Sequence, residues 1–178
     1  MCEASSVRLV WVSGNSGAGK STVCELLKSR GELAIDADWE DYSHWVDRTT
    51  GSVVADPPYP VPPGWLERFA WKLDRAKVAA LAARAGERTA FLCGSVENEA
   101  DTWDLFDGVV CLVVDDDTLR HRLQTRTTNA FGKDQAELAA ALRDNENAES
   151  TYRRLGAIIV EATPPAREVA DAVVASVT

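Results

Sequence analysis

The run Gly14-Asn15-Ser16-Gly17-Ala18-Gly19-Lys20-Ser21-Thr22 carries the residue types needed to grip phosphate oxygens. It satisfies GxxxxGK[ST], and it lies between an apolar run and a segment of helical spacing, the strand, loop and helix setting that the motif requires. Glycines let backbone N–H groups curl around an anion, and the helix N-terminus that follows adds partial positive charge. Lys20 suits β- and γ-phosphate oxygens and the Ser21 hydroxyl suits Mg²⁺, so residues 14–22 are expected to bind ATP together with Mg²⁺. A second constellation is Ile35-Asp36-Ala37-Asp38, where two carboxylates two residues apart at a strand end can divide labour. One can orient Mg²⁺ through water while the other accepts or positions the proton of an attacking hydroxyl. A third is Arg122 and Arg126, four apart and so expected on one helix face, where guanidiniums can neutralise phosphate charge.

These groups need a scaffold. Short apolar runs at residues 7–12, 33–35, 89–93, 109–114 and 157–160 alternate with helix-like segments, the pattern of a parallel sheet covered by helices on both faces. Val23, Leu26 and Leu27 make the first helix, with Gly31 as its stop. A long helix is predicted over 65–85, where Leu66, Phe69, Ala70, Leu73, Ala76, Ala80 and Leu81 form one apolar stripe and Gly86 ends it. Further helices are expected after Asp117, near Asp134 and after Pro165. Asp115, Asp116 and Asp117 read as a helix start, where carboxylates offset orphan N–H groups. Residues 39–64 hold Pro57, Pro58, Pro60, Pro62 and Pro63 among Trp39, Tyr42, Trp45 and Tyr59, which excludes regular helix or a central strand and suggests a binding element.

At 178 residues the chain has material for one domain spanning 1–178. The formal charge of −9 and pI near 4.7 speak against nucleic acid as a main partner. No apolar stretch approaches the roughly 20 residues that cross a bilayer, and no signal peptide is visible, so a cytoplasmic protein without a membrane partner is expected. Cys2, Cys24, Cys93 and Cys111 are widely spaced and are expected as reduced thiols. No NKxD-type guanine reader follows the fourth strand, which disfavours a GTPase, and the length leaves no room for the added elements of large oligomeric ATPases.

With Lys20 and Ser21 placed, the layout resembles the nucleoside-monophosphate kinase and shikimate kinase superfamily of small P-loop kinases. The resemblance implies an α/β three-layer fold with five parallel strands in the order 2-3-1-4-5, an acceptor-binding insertion at about 39–64 and an arginine-bearing lid at about 120–133. Asp36-Ala37-Asp38 looks like the Asp-x-Asp of shikimate kinases and the Asp-Ala-Asp of dephospho-CoA kinases, where this segment meets the acceptor hydroxyl. Asp36 is accordingly assigned with Ser21 to Mg²⁺, and Asp38 to the acceptor. Arg122 and Arg126 are assigned to the lid that closes over ATP, and Arg153 or Arg154 stands where the resembled kinases approach adenine. The third strand ends Cys93-Gly94-Ser95 without the acidic residue usual in adenylate-type kinases. The implied activity is transfer of the ATP γ-phosphoryl group to a small-molecule hydroxyl by a monomer or homodimer. A nucleoside-monophosphate kinase and a nucleotide-binding switch or adaptor are the alternatives.

Overall fold

The computed structural model describes residues 8–128 and 131–178, so Cys2, Val7 and positions 129–130 of the expected lid lie outside the described residues. The elements are β1 (Leu9–Gly14), α1 (Lys20–Ser29), β2 (Leu33–Asp36), β3 (Ser43–Asp47), α2 (Trp65–Arg68), β4 (Phe69–Leu73), α3 (Arg75–Ala85), β5 (Ala90–Cys93), α4 (Glu99–Thr102), β6 (Gly108–Val113), α5 (Asp116–Thr125), α6 (Gln135–Arg154), β7 (Ile158–Glu161) and α7 (Ala166–Ala175). Five strands form a parallel sheet in the order β2-β5-β1-β6-β7, which is the expected 2-3-1-4-5 when these strands alone are counted. The central strand β1 is buried throughout, and its pairing with β6 carries regular structure on through Ser13 and Gly14 to the lip of the phosphate loop.

Alternation along β1 sends its side chains into two separate cores. Val10 and Val12 pack with Val23, Leu27, Leu119, Leu123, Val169 and Val173 on the face covered by α1, α5 and α7. Leu9 and Trp11 pack with Val78, Leu81 and Leu92 on the face covered by α3. Cys24, Cys93 and Cys111 are buried and unbridged. Asp115 caps α5 by accepting from the Thr118 amide at 2.7 Å, and Asp134 caps α6 through the Ala136 amide at 2.8 Å. Among the described residues no helix is long and apolar enough to cross a membrane.

The expected helix over 65–85 is not continuous. Its first part is the single turn α2, then β4 runs antiparallel to β3 as a separate two-stranded sheet, and only Arg75–Ala85 continues as helix. The physical reason lies in the spacing: Phe69 and Leu73 satisfy a period of four, which serves both the i,i+4 stripe of a helix and every second residue of a strand. Pairing with β3 settles the choice, and Asp74 then restarts the helix by accepting from the amides of Ala76 at 2.9 Å and Lys77 at 3.1 Å. Leu66, expected to face inward, is 60% exposed.

Candidate active site

The phosphate loop joins β1 to α1, and its glycines are conformational necessities. Gly14 and Gly17 have φ of 142° and 94°, and a Cβ on Gly14 would stand 2.5 Å from the Leu112 carbonyl oxygen. Lys20 begins α1 and folds back, donating from Nζ to the carbonyls of Gly14 at 2.7 Å and Asn15 at 3.0 Å. An ammonium has three donors, so one N–H remains for a phosphate oxygen. Burial lowers the Lys20 pKa, opposed by the fields of Asp38, Glu99 and Asp36, so three carboxylates surround this cation. Ser21 and Thr22 are exposed at the start of α1.

Asp36 ends β2 and is buried at 5% exposure. Its Oδ1 accepts the Asp38 amide at 3.1 Å, and its own amide donates to Glu40 Oε1 at 2.8 Å. Glu40 in turn pairs with Lys28 of α1 at 2.6 Å, which ties the turn to the helix that begins at the phosphate loop. Asp38 keeps solvent access, and partial loss of hydration among its neighbours raises its carboxyl pKa. Trp71 Nε1 on β4 donates to Asp38 Oδ1 at 2.8 Å, which with the Lys20 charge pulls that pKa back down.

The β3–β4 hairpin is fastened to the segment after β5. Asn98 mimics a strand partner, accepting the Leu73 amide at 2.8 Å and donating to its carbonyl at 3.2 Å, while the Glu97 amide donates to the Trp71 carbonyl at 2.9 Å. Gly94 stands where a Cβ would meet Trp11 Cη2 at 2.9 Å and the Ala37 Cβ at 3.0 Å. Close packing under the site therefore accounts for this glycine. His44 sits on β3 opposite Lys72 of β4.

A carboxylate unseen in the sequence reading enters here. Glu99 opens α4 and accepts from Ser13 Oγ at 2.6 Å, Tyr152 Oη at 2.5 Å and Trp11 Nε1 at 3.2 Å. Ser13 is fully buried and immediately precedes Gly14, so this network fixes the base of the phosphate loop from the helix α6 side. Burial and the Glu99 charge push the Tyr152 hydroxyl pKa upward, keeping it a proton donor.

On the opposite side, Arg122 bridges the Ala18 carbonyl at 3.1 Å and the Ala162 carbonyl at 2.8 Å. It braces the loop against the end of β7. Arg126 donates to Ser16 Oγ at 3.2 Å and to the Phe131 carbonyl at 2.7 Å, while its buried Nε has no hydrogen-bond partner among the described residues. Arg126 is the last residue tied to α5, its amide donating to the Arg122 carbonyl at 3.1 Å, and both guanidiniums reach the phosphate loop, one at Ala18 and the other at Ser16. Lys133 Nζ is held by the Arg126 carbonyl at 2.6 Å, and Arg153 pairs with Glu149 one turn back on α6 at 2.6 Å. Tyr59, from the proline-rich tip of the insertion, lines a shallow concavity with residues 124–128 and Lys133.

Comparisons with known proteins bear on the fold. The family model described as "AAA domain" matches residues 10–154. Shikimate kinase from Acinetobacter baumannii, in complex with shikimate, superposes with TM-score 0.57 at 19% identity, covering 94% of this chain and 91% of that one. A gluconokinase from Sinorhizobium meliloti 1021 gives 0.52 at 18% identity over 96% and 91%, respectively. Deoxyadenosine kinase from M. mycoides with bound dATP gives 0.51 at 15% identity over 94% and 98%. A search of curated proteins finds none that matches. The chain belongs to the AAA domain family and has the fold of the small-molecule P-loop kinases.

Proposed function

We propose that the protein is an ATP- and Mg²⁺-dependent kinase that transfers the γ-phosphoryl group to the hydroxyl of a small molecule. The observation that carries this is Asp38: a carboxylate held by Trp71 Nε1 at 2.8 Å, within the field of the phosphate-loop Lys20, and exposed to solvent. A loop that only binds or slowly hydrolyses a nucleotide needs no such group on its acceptor side. Asp38 takes the proton of the attacking hydroxyl as its oxygen bonds to the γ-phosphorus and the bond to the leaving ADP oxygen breaks. Lys20 and the loop amides stabilise the charge on the transferring group, and Arg126 approaches from Ser16. Arg122 keeps the loop in shape through Ala18 and Ala162.

The donor set suits Mg²⁺, a hard cation that prefers oxygen. The exposed Ser21 hydroxyl and the Asp36 carboxylate, which among the described residues accepts only the Asp38 amide, would hold it. When bound, the ion neutralises phosphate charge.

The test is transfer of labelled γ-phosphate from ATP to a panel of sugars, amino sugars, nucleosides and nucleoside monophosphates, with Lys20→Ala as control. A labelled product that Lys20→Ala fails to make is the expected result. Near-normal turnover in Lys20→Ala, or release of free phosphate unaffected by any acceptor, would overturn the reading, and the latter would favour a nucleotide switch.

A further inference from the structure

Beside Asp38 the β3–β4 hairpin presents aromatic area. Trp45 and Trp71 are cross-strand partners with ring centroids 5.1 Å apart, and Trp65 meets Trp45 edge-on at 5.9 Å. Trp71 itself holds Asp38, so the cluster adjoins the proposed acceptor position. Trp39, next in the chain after Asp38, is 70% exposed, far from the usual placement of so large an apolar side chain.

The cations that a carboxylate or phosphate on the acceptor would need are already committed to carboxylates. Arg48 forks onto both carboxylate oxygens of Glu97, and Arg68 pairs with Asp47 at 2.9 Å. Arg75 pairs with Asp104 at 2.8 Å, and Lys77 with Asp41. Among the described residues 39–77, Lys72 is the lysine or arginine outside such a pair; it alternates to the hairpin face away from Trp71 and acts on Glu97. Facing this, Asp36 and Asp38 carry no ion pair among the described residues. A like charge brought into such a site is repelled, whereas CH-rich ring faces and ammonium groups are both attracted to indole faces.

We infer that the acceptor is a hydroxyl compound without an anionic group, neutral or amine-bearing, that lays a ring or CH-rich face against the hairpin tryptophans. This rests on the kinase reading, with Asp38 facing the acceptor. It departs from the acids named in the shikimate kinase and gluconokinase comparisons, whose fold the chain shares.

The experiment uses the full chain and matched acceptors: glucosamine against gluconate, glucose against glucose 6-phosphate, and adenosine against adenosine monophosphate. Transfer is read with labelled ATP, and binding in parallel by calorimetry in the presence of a non-hydrolysable ATP analogue. The uncharged or amine-bearing member of a pair should show kcat/KM at least about tenfold higher than its anionic counterpart. Preference for the anionic members overturns the inference and leaves the kinase reading standing. Binding of uncharged members without transfer to any compound overturns the kinase reading and, with it, their identification as acceptors, and failure of every uncharged and amine-bearing member to bind overturns the inference. As a second measurement, Glu97→Gln frees the Arg48 guanidinium. That variant should move the ratio about tenfold toward the anion, and an unchanged ratio overturns the electrostatic basis.

Discussion

Trp71→Phe is the most informative single substitution, because it deletes one N–H and keeps an aromatic ring against Trp45. The lost group donates to Asp38 Oδ1 at 2.8 Å. A hydrogen bond to a charged partner contributes about 1.5–3 kcal/mol, so if it acts fully in the transition state kcat falls by roughly 10- to 150-fold. The pH dependence has a definite sign. Burial holds the Asp38 carboxyl above the ordinary range, and the Trp71 N–H and Lys20 oppose that shift. Removing the N–H leaves burial less opposed, so the carboxyl pKa moves further up. The deprotonated form accepts the hydroxyl proton, and the acidic limb of the rate profile must therefore move to higher pH. The assay is steady-state transfer from about pH 5 to 9, with ATP and acceptor saturated separately. An acidic limb that stays in place with unchanged kcat would refute the role given to Trp71, as would a rise in the KM for ATP that matches the loss in rate.

Other outcomes follow from the same contacts. Tyr152→Phe strips one partner each from Glu99 and Ser13 inside the sheet end. It should cost about 2 kcal/mol and lower Tm by roughly 4–8 °C, and a Tm within 1 °C of the parent by differential scanning calorimetry would show that the network contributes nothing. Arg122→Lys keeps the charge but cannot span the Ala18 and Ala162 carbonyls. ATP affinity by calorimetric titration should weaken about three- to tenfold, and unaltered affinity would remove the brace. Gly94→Ala forces a Cβ to within 2.9 Å of Trp11 in the core. Urea unfolding should show a loss of about 1–3 kcal/mol, against which a neutral midpoint would count.

The phosphate loop was legible because its chemistry is local. Gly14 to Thr22 follow a buried apolar run and precede a helix, and nothing distant is needed to bend a glycine loop around an anion. The alternation of apolar runs with helical stripes likewise carried the parallel sheet, and Asp134 caps the helix expected near it, whereas α5 is capped by Asp115, two residues before the expected start at Asp117. The break in residues 65–85 was not legible, since Phe69 and Leu73 fit both periods and only pairing with β3 distinguishes them.

The candidate site divides along the same line. Residue identity alone determined that Lys20, Ser21, Asp36 and Asp38 would gather at one end of the sheet, because adjacent turns leave strands that run the same way. Only tertiary structure decided which cations are spent on neighbours and which groups face the cleft. Arg48, Arg68 and Arg75 are paired with Glu97, Asp47 and Asp104, partners 49, 21 and 29 positions away along the chain. Glu99 stands 86 positions from Ser13 along the chain and within 2.6 Å of it in space. Such a contact is set by how α4 and α6 close on the sheet, and side-chain type and spacing contain no record of it.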